Sequence, residues 1–131
     1  MIPISELRKL ANTRLKDAGV LFSSNRYDGA IYLCGYAIEL ALKARICRTL
    51  NWSAFPETNA EFREFQTFKT HKLDTLLRLS GIETKIKTKS LAEWSIVAAW
   101  EPELRYRIVG TGTQIKANDM IQATRTLLGV I

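Results

Sequence analysis

The chain contains 131 residues, of which 47% are hydrophobic and 24% charged, the composition of an ordinary single-domain globular protein. Such a chain can bury a core without a metal or a disulfide, and disordered, collagen-like, low-complexity and multidomain chains are excluded. Nineteen Lys and Arg residues against thirteen Asp and Glu residues give a net charge of +6. This basic excess permits a nucleic-acid, nucleotide or acidic-protein partner without requiring one.

Two long helices are predicted in the first part of the chain. Ser5 is the predicted N-cap of a helix from Glu6 to about Ser24, along which apolar residues recur at helical spacing. A second helix is predicted from Tyr27 to about Leu50 and is apolar nearly all round. This pattern is typical of a central helix that packs on several sides.

The segment from residue 51 to residue 70 is rich in aromatic residues, which is unusual for a linker. A loop is predicted around Pro56, and three phenylalanines spaced three residues apart predict a helical turn laid over the core. A further helix is predicted over Lys72–Leu79 and ends at Gly81. The aromatic residues of this segment are Trp52, Phe55, Phe62, Phe65 and Phe68.

The last third of the chain is predicted to hold two more helices. Residues 83–89 are expected to form a basic loop or the start of the next helix, because no second strand signal exists to pair with them. An apolar helix is predicted over Leu91–Trp100, and Pro102 ends or kinks it. A loop over Arg105–Thr113 then leads to a final helix from about Ile115 to Gly129.

These elements predict an all-α fold, an antiparallel up-and-down bundle of four to five helices. No internal repeat or domain boundary is visible, so residues 1–131 are expected to form a single domain. Three tryptophans and five phenylalanines exceed what a small bundle readily buries. Since exposed aromatic patches usually mark an interface, we predict a homodimer.

The cysteine and histidine content limits metal and redox chemistry. Cys34 and Cys47 are predicted to lie on one helix about 20 Å apart, too far for a disulfide or a shared metal. His71 is the only histidine, so we expect no zinc cluster, no other metal ligand and no cofactor. Two free thiols, no cleavable signal and no apolar run near the roughly 20 residues of a membrane span predict a cytoplasmic protein without membrane contact.

One charge, Glu39, stands in the apolar centre of the second helix. Because an unpaired buried carboxylate costs several kcal/mol, Glu39 is expected to have a basic partner. Lys43, four residues later, is the local candidate. Arg105 or Arg107 is the tertiary candidate, and we expect a structural ion pair of Glu39 with Arg105. The alternative places Glu39 at the rim of a ligand or catalytic site.

Candidate ligand-binding residues are basic or aromatic. Two arginines flanking a tyrosine could clamp a phosphate and stack a base; the alternative places Arg105 on Glu39 and Tyr106 in the core. His71 is either a helix cap or surface residue, or a general base or RNA contact. No catalytic residue is assigned. The candidates for ligand binding are Lys43, His71, Arg105, Tyr106 and Arg107.

Two stretches of sequence resemble the HEPN domain of prokaryotes. The first is Arg26-Tyr27-Asp28-Gly29-Ala30, followed by Tyr36-Ala37-Ile38-Glu39-Leu40-Ala41-Leu42-Lys43-Ala44. The second is Thr70-His71-Lys72-Leu73-Asp74-Thr75-Leu76-Leu77. The resemblance covers the chain from about Leu7 to Leu128.

This resemblance implies a helical bundle that usually homodimerises and often partners a minimal nucleotidyltransferase in toxin–antitoxin or defence operons. Many members are RNases in which four to six residues separate an arginine from a histidine. Here seven residues separate Arg63 from His71, and no histidine follows Arg105 or Arg107. The departure favours the family's non-catalytic branch, which is proposed to bind nucleotides or nucleic acid.

We therefore expect an interaction or binding module for a nucleotide, an RNA or a nucleotidyltransferase partner, in a toxin–antitoxin or defence-type system. The isolated protein is expected not to cleave RNA, because its one imidazole lies outside the family spacing. The alternative is a diverged RNase toxin that uses His71 and an arginine. A third hypothesis is a structural subunit without a ligand.

Overall fold

The computed structural model describes all 131 residues and is predominantly helical. Six α-helices are accompanied by two short 3-10 helices and a pair of two-residue strands, so the predicted all-α class is confirmed. The α-helices are α1 (Ile4–Ser23), α2 (Tyr27–Leu50), α3 (Leu73–Ser80), α4 (Glu83–Lys89), α5 (Leu91–Val97) and α6 (Gln114–Val130). The 3-10 helices are Gln66–Phe68 and Pro102–Tyr106, and the strands are β1 (Ile2–Pro3) and β2 (Ala54–Phe55).

Helix α2 is the centre of the bundle, as its apolar circumference predicts. It packs against α1, α3 and α6 and also contacts β2. Twelve of its 24 residues are buried, and its bounds are those predicted from the sequence. It ends where Asn51 adopts a left-handed conformation with φ 56. Every candidate site residue on α2 therefore has its surroundings set by other helices and by the segments that join them.

Helix α1 begins earlier than predicted, and Ser5 is not its N-cap. Pro3 occupies the cap position without a side-chain hydrogen bond, and Ser5 lies inside the first turn. The cause is tertiary: β1 pairs antiparallel with β2, with Ile2 opposite Phe55 and Pro3 opposite Ala54. The chain therefore leaves the strand pair directly into the helix.

Residues 83–89 form the separate helix α4, and neither the expected basic loop nor the start of the next helix. The helix buries Ile86 at 1% exposure, while Lys87 pairs with Glu83 at 3.3 Å one turn away. The burial of Ile86, the i,i+4 ion pair and packing against α3 and α5 stabilise this short helix, which the alternation of lysines in the sequence does not indicate. Helix α5 ends at Val97, short of the predicted Trp100.

The aromatic segment after α2 folds over the bundle as a packed cluster. The Trp52 ring centroid lies 4.9 Å from that of Phe65 and 5.0 Å from that of Phe68. The predicted helical turn appears as the 3-10 helix at Gln66–Phe68. The cluster fixes the path of the chain just before His71, which decides where that residue meets α2.

Four of the eight tryptophans and phenylalanines on which the homodimer expectation depended are buried within one chain. Trp94 is 3% exposed and Trp100 5%, and Phe55 and Phe62 are buried as well. The most exposed large apolar residues lie elsewhere, around the loop before α6: Tyr106, Ile108, Val109 and Ile115. No helix combines the length and the apolar character that a membrane span needs.

Candidate functional site

The Glu39 carboxylate is buried in the bundle and engages two basic side chains. The residue is 2% exposed. Its Oε2 accepts a hydrogen bond from Lys43 Nζ at 2.9 Å, and its Oε1 lies 3.0 Å from His71 Nδ1. The expected ion pair with Arg105 is absent, so that prediction is wrong; Lys43, the local candidate, is a partner. A buried carboxylate is thus charge-paired on one oxygen and bound to an imidazole on the other.

Lys43 also contacts an aromatic ring of β2. Its side chain is 15% exposed, and its ammonium lies 5.4 Å from the centroid of the Phe55 ring, a cation–π distance. The ammonium therefore interacts with both Glu39 and Phe55. Its main contacts are internal, which favours a structural role for Lys43 over direct ligand contact.

His71 differs from Lys43 in its exposure. Its side chain is 66% exposed, although Nδ1 is bound to Glu39. Nε2 is then the ring nitrogen without a partner within the chain. A carboxylate that fixes one ring nitrogen sets the orientation and tautomer of the imidazole, an arrangement suited to proton transfer or hydrogen bonding to a ligand. One signal in the sequence could have indicated this contact: both oxygens of a buried carboxylate need partners, and Lys43 satisfies only one.

A second candidate site is a groove of about 670 Å³ at the amino end of α2. Residues of α2, α5, α6 and the segment from Pro102 to Thr113 line it. Its apolar lining includes Ile31, Tyr32, Trp100 and Met120. Its charged side chains are the cations Arg105, Arg107 and Lys116 and the carboxylates Asp28 and Asp119. An apolar floor beside three cations can hold a ligand that joins a flat apolar part to a negative charge.

The arginines of the groove have different partners. The hydroxyl of Tyr106, and then that of Tyr32, raise the pKa of the fully exposed Arg105 guanidinium, which also lies 5.0 Å from the Tyr106 ring centroid. Arg107 Nη2 donates to Glu101 Oε1 at 2.9 Å on the surface. Tyr106 is 78% exposed, so the alternative that placed it in the core is wrong.

The structure divides the predicted ligand-binding residues between the two sites. Lys43 and His71 meet at Glu39, whereas Arg105 and Arg107 line the groove and Tyr106 packs on Arg105 outside the lining. The sites are separated along α2, because the 11 residues from Tyr32 to Lys43 correspond to about 16 Å of helix. Among the charged residues of the groove, Asp28, Lys116 and Asp119 were not sequence candidates.

The remaining reactive side chains add no further site. Cys34 and Cys47 are free and buried, and burial raises the pKa of each thiol to about 11. No group of three or more His, Cys, Asp or Glu residues is arranged to hold a metal ion. The polar chemistry of the molecule is therefore concentrated at Glu39 and in the groove.

Comparison with known proteins gives one match. A family model of the HEPN domain matches residues 4–59, which include α1, α2 and β2. Searches of curated proteins and of solved structures each returned no significant match. The matched residues contain Asp28, Glu39 and Lys43, while His71 and the arginines of the groove lie beyond them.

Proposed function

We propose that this chain, whose residues 4–59 match a family model of the HEPN domain, is a binding module that takes a nucleotide or a similar phosphate-bearing ligand into the groove beside α2. HEPN proteins have nuclease or nucleotide-related functions, and the absence of the family's RNase spacing favours binding. RNA and a nucleotidyltransferase protein, in a toxin–antitoxin or defence-type system, are the other partners that the family relationship supports.

The observation that carries the proposal is the meeting of three cations with an aromatic, apolar floor. Arg105, Arg107 and Lys116 can neutralise phosphate charge, and guanidinium groups bind phosphate oxygens in pairs. Tyr32 and Trp100 supply the apolar surface against which a base can lie. A volume of about 670 Å³ falls within the range of small-molecule sites. Arg105 and Arg107 lie on the segment after α5 and Lys116 lies on α6, so the groove exists only in the folded chain.

Calorimetric titration with ATP, AMP and a short single-stranded RNA tests this proposal. Arg105→Gln should weaken binding of the preferred ligand at least about tenfold, since hydrogen bonds to charged groups contribute about 1.5–3 kcal/mol. Arg78→Gln is the matched control, because Arg78 is exposed on α3 and bonded only to Thr75. The proposal fails if wild type binds none of the three ligands, or if both variants lose the same affinity.

A second candidate function, a diverged RNase, is supported by the bond between Glu39 and His71. In such a reaction His71 Nε2 would take the proton of the 2′-hydroxyl and O2′ would bond to phosphorus. The bond from phosphorus to the 5′-oxygen would break, and that oxygen would take a proton from water. No arginine is bonded to His71, so the cation that would stabilise the phosphorane is not in place. This favours binding over cleavage.

Cleavage assays separate the two functions. We expect wild type to leave single-stranded RNA and tRNA intact in the presence of EDTA. Cleavage by wild type that disappears in His71→Ala would replace the binding proposal with the RNase alternative. A parallel Lys69→Ala variant, two residues upstream and bonded to Asn59, controls for simple loss of positive charge near His71.

A further inference from the structure

The Asp28 carboxylate ties the loop before α6 to the first turn of α2. Its Oδ2 accepts a hydrogen bond from Gly110 N–H at 2.6 Å, and its Oδ1 accepts one from Gly112 N–H at 2.6 Å. The bonds join residues 82 and 84 positions apart in the sequence. Both carboxylate oxygens are thus used to hold backbone groups of one loop.

The contact between this loop and Asp28 requires glycine at positions 110 and 112. A Cβ atom on Gly112 would lie 2.7 Å from Asp28 Oδ1 and 3.0 Å from Ile31 Cδ1, so a side chain there would push the loop away from α2. Gly110 has φ +91, in the left-handed region that favours glycine. The close approach of the two N–H groups to the carboxylate therefore depends on glycine at both positions.

Little else fastens this loop to the bundle. Ile108 is 82% exposed and Val109 92% exposed, and Thr111 bonds only within the loop, to Ile108 O. The two bonds to Asp28 are the hydrogen bonds that connect residues 108–112 to the helices. Yet Ile108, Val109, Thr111 and Gly112 all line the groove. The wall of the candidate site is held by a single carboxylate.

We propose that Asp28 is a positioning residue that keeps this wall formed, so that a ligand meets the groove already shaped. The inference rests on the proposed function for its consequence in binding, while the clamp itself is a property of the free protein. A preformed site avoids the entropy loss of ordering a loop during association. Loss of the clamp should therefore weaken binding of ATP, the probe ligand, about tenfold without unfolding the bundle.

Two variants release the loop from opposite sides. In Asp28→Asn the amide oxygen can accept one N–H, while its NH₂ group faces the other donor. Gly112→Ala leaves the carboxylate and its charge intact but inserts a methyl group into the contact. The controls are Asp17→Asn, an exposed carboxylate paired with Arg14 on α1, and Gly129→Ala, whose added Cβ would meet no atom within 4 Å.

Amide hydrogen exchange by NMR and ATP titration are measured on all five proteins. We expect faster exchange at Gly110 and Gly112 and weaker ATP binding in both test variants, with melting temperatures near that of wild type. In the controls we expect no change in loop exchange or in ATP binding. Unchanged exchange in the test variants would overturn the clamp. Faster exchange with unchanged ATP affinity would overturn its positioning role. If wild type itself binds no ATP, the proposed function and the positioning role both fail, whereas the exchange result still decides the clamp.

Discussion

At the scale of single residues, Glu39 has the most demanding environment in the molecule. It is a carboxylate at 2% exposure inside an apolar helix, satisfied by Lys43 and His71. Such a pair does not by itself prove a stabilising contribution, because removing two charges from water is costly. It does mean that removing one partner leaves the other uncompensated.

We predict that Glu39→Gln lowers the free energy of unfolding by about 3–5 kcal/mol, because the Lys43 ammonium would remain mostly buried without a counter-charge. Urea denaturation measures this. The control is Glu83→Gln, whose pair with Lys87 is exposed and should contribute less than about 1 kcal/mol. Equal losses of unfolding free energy in the two variants would show that the buried pairs of Glu39 contribute no more than an exposed ion pair.

Gly35 marks another close approach, because it lets the Trp100 indole lie directly on the backbone of α2. A Cβ on Gly35 would overlap the Trp100 ring, and Trp100 Nε1 donates to Tyr32 O at 3.0 Å. The indole cannot retreat without breaking that hydrogen bond. The packing of the α5 end against α2 therefore requires glycine at this position.

We predict that Gly35→Ala destabilises the protein by about 1–3 kcal/mol, the usual effect of overpacking a core. Gly19→Ala in α1 has free space around the new Cβ and should stabilise the protein by up to about 1 kcal/mol through helix propensity. Thermal denaturation compares the two. A stabilising Gly35→Ala would contradict the close contact between α2 and Trp100.

At the scale of elements, the central position of α2 controls the chemistry of both thiols. Cys34 and Cys47 are each 0% exposed. Desolvation by the surrounding helices raises the pKa of each to about 11, above the ordinary value. The thiolate is the reactive form, so both groups stay neutral and inert near pH 8 in the folded protein.

We predict that a disulfide reagent labels neither thiol at pH 8 in native protein and labels both at once in urea. Because the folded pKa is raised, the stabilisation from neutral thiols is present below about pH 8.5 and is lost as the pH rises toward 11. Labelling should accelerate over that same interval. Rapid labelling of native protein at pH 8 would contradict burial of α2.

At the scale of the whole molecule, the exposed apolar residues form a patch around the loop before α6. Tyr106 is 78% exposed, Ile108 82%, Val109 92% and Ile115 75%. Homodimerisation remains a prediction, and this patch replaces the buried tryptophans as its expected location. An interface there would lie beside the groove.

We predict sedimentation at about twice the 14.9 kDa chain mass at micromolar concentration. The double variant Ile108→Lys/Val109→Lys should sediment as a monomer, since charge at the patch opposes burial. Val20→Lys, at a 66% exposed position on α1, is the control and should stay dimeric. A wild-type monomer, or dissociation by the control alone, would contradict the prediction.

Sequence by itself determined the helical class and the course of α2. Helical periodicity is a local property, and an apolar circumference can be satisfied only by burial on all sides, so Tyr27–Leu50 and its central place followed from residue spacing. The need of Glu39 for a basic partner, and Lys43 as one choice, also followed, because both lie on one helix face.

Only the tertiary structure decided which distant residues meet. His71 is bonded to Glu39, 32 positions away in the sequence, and Asp28 to Gly112, 84 positions away. Pairing of β1 with β2 places Pro3, and not Ser5, at the N-cap of α1. Arg105 lies at the groove, and not beside Glu39, because the segment after Pro102 packs at the amino end of α2. Long-range contacts depend on the path of the whole chain, and residue spacing carries no information about it.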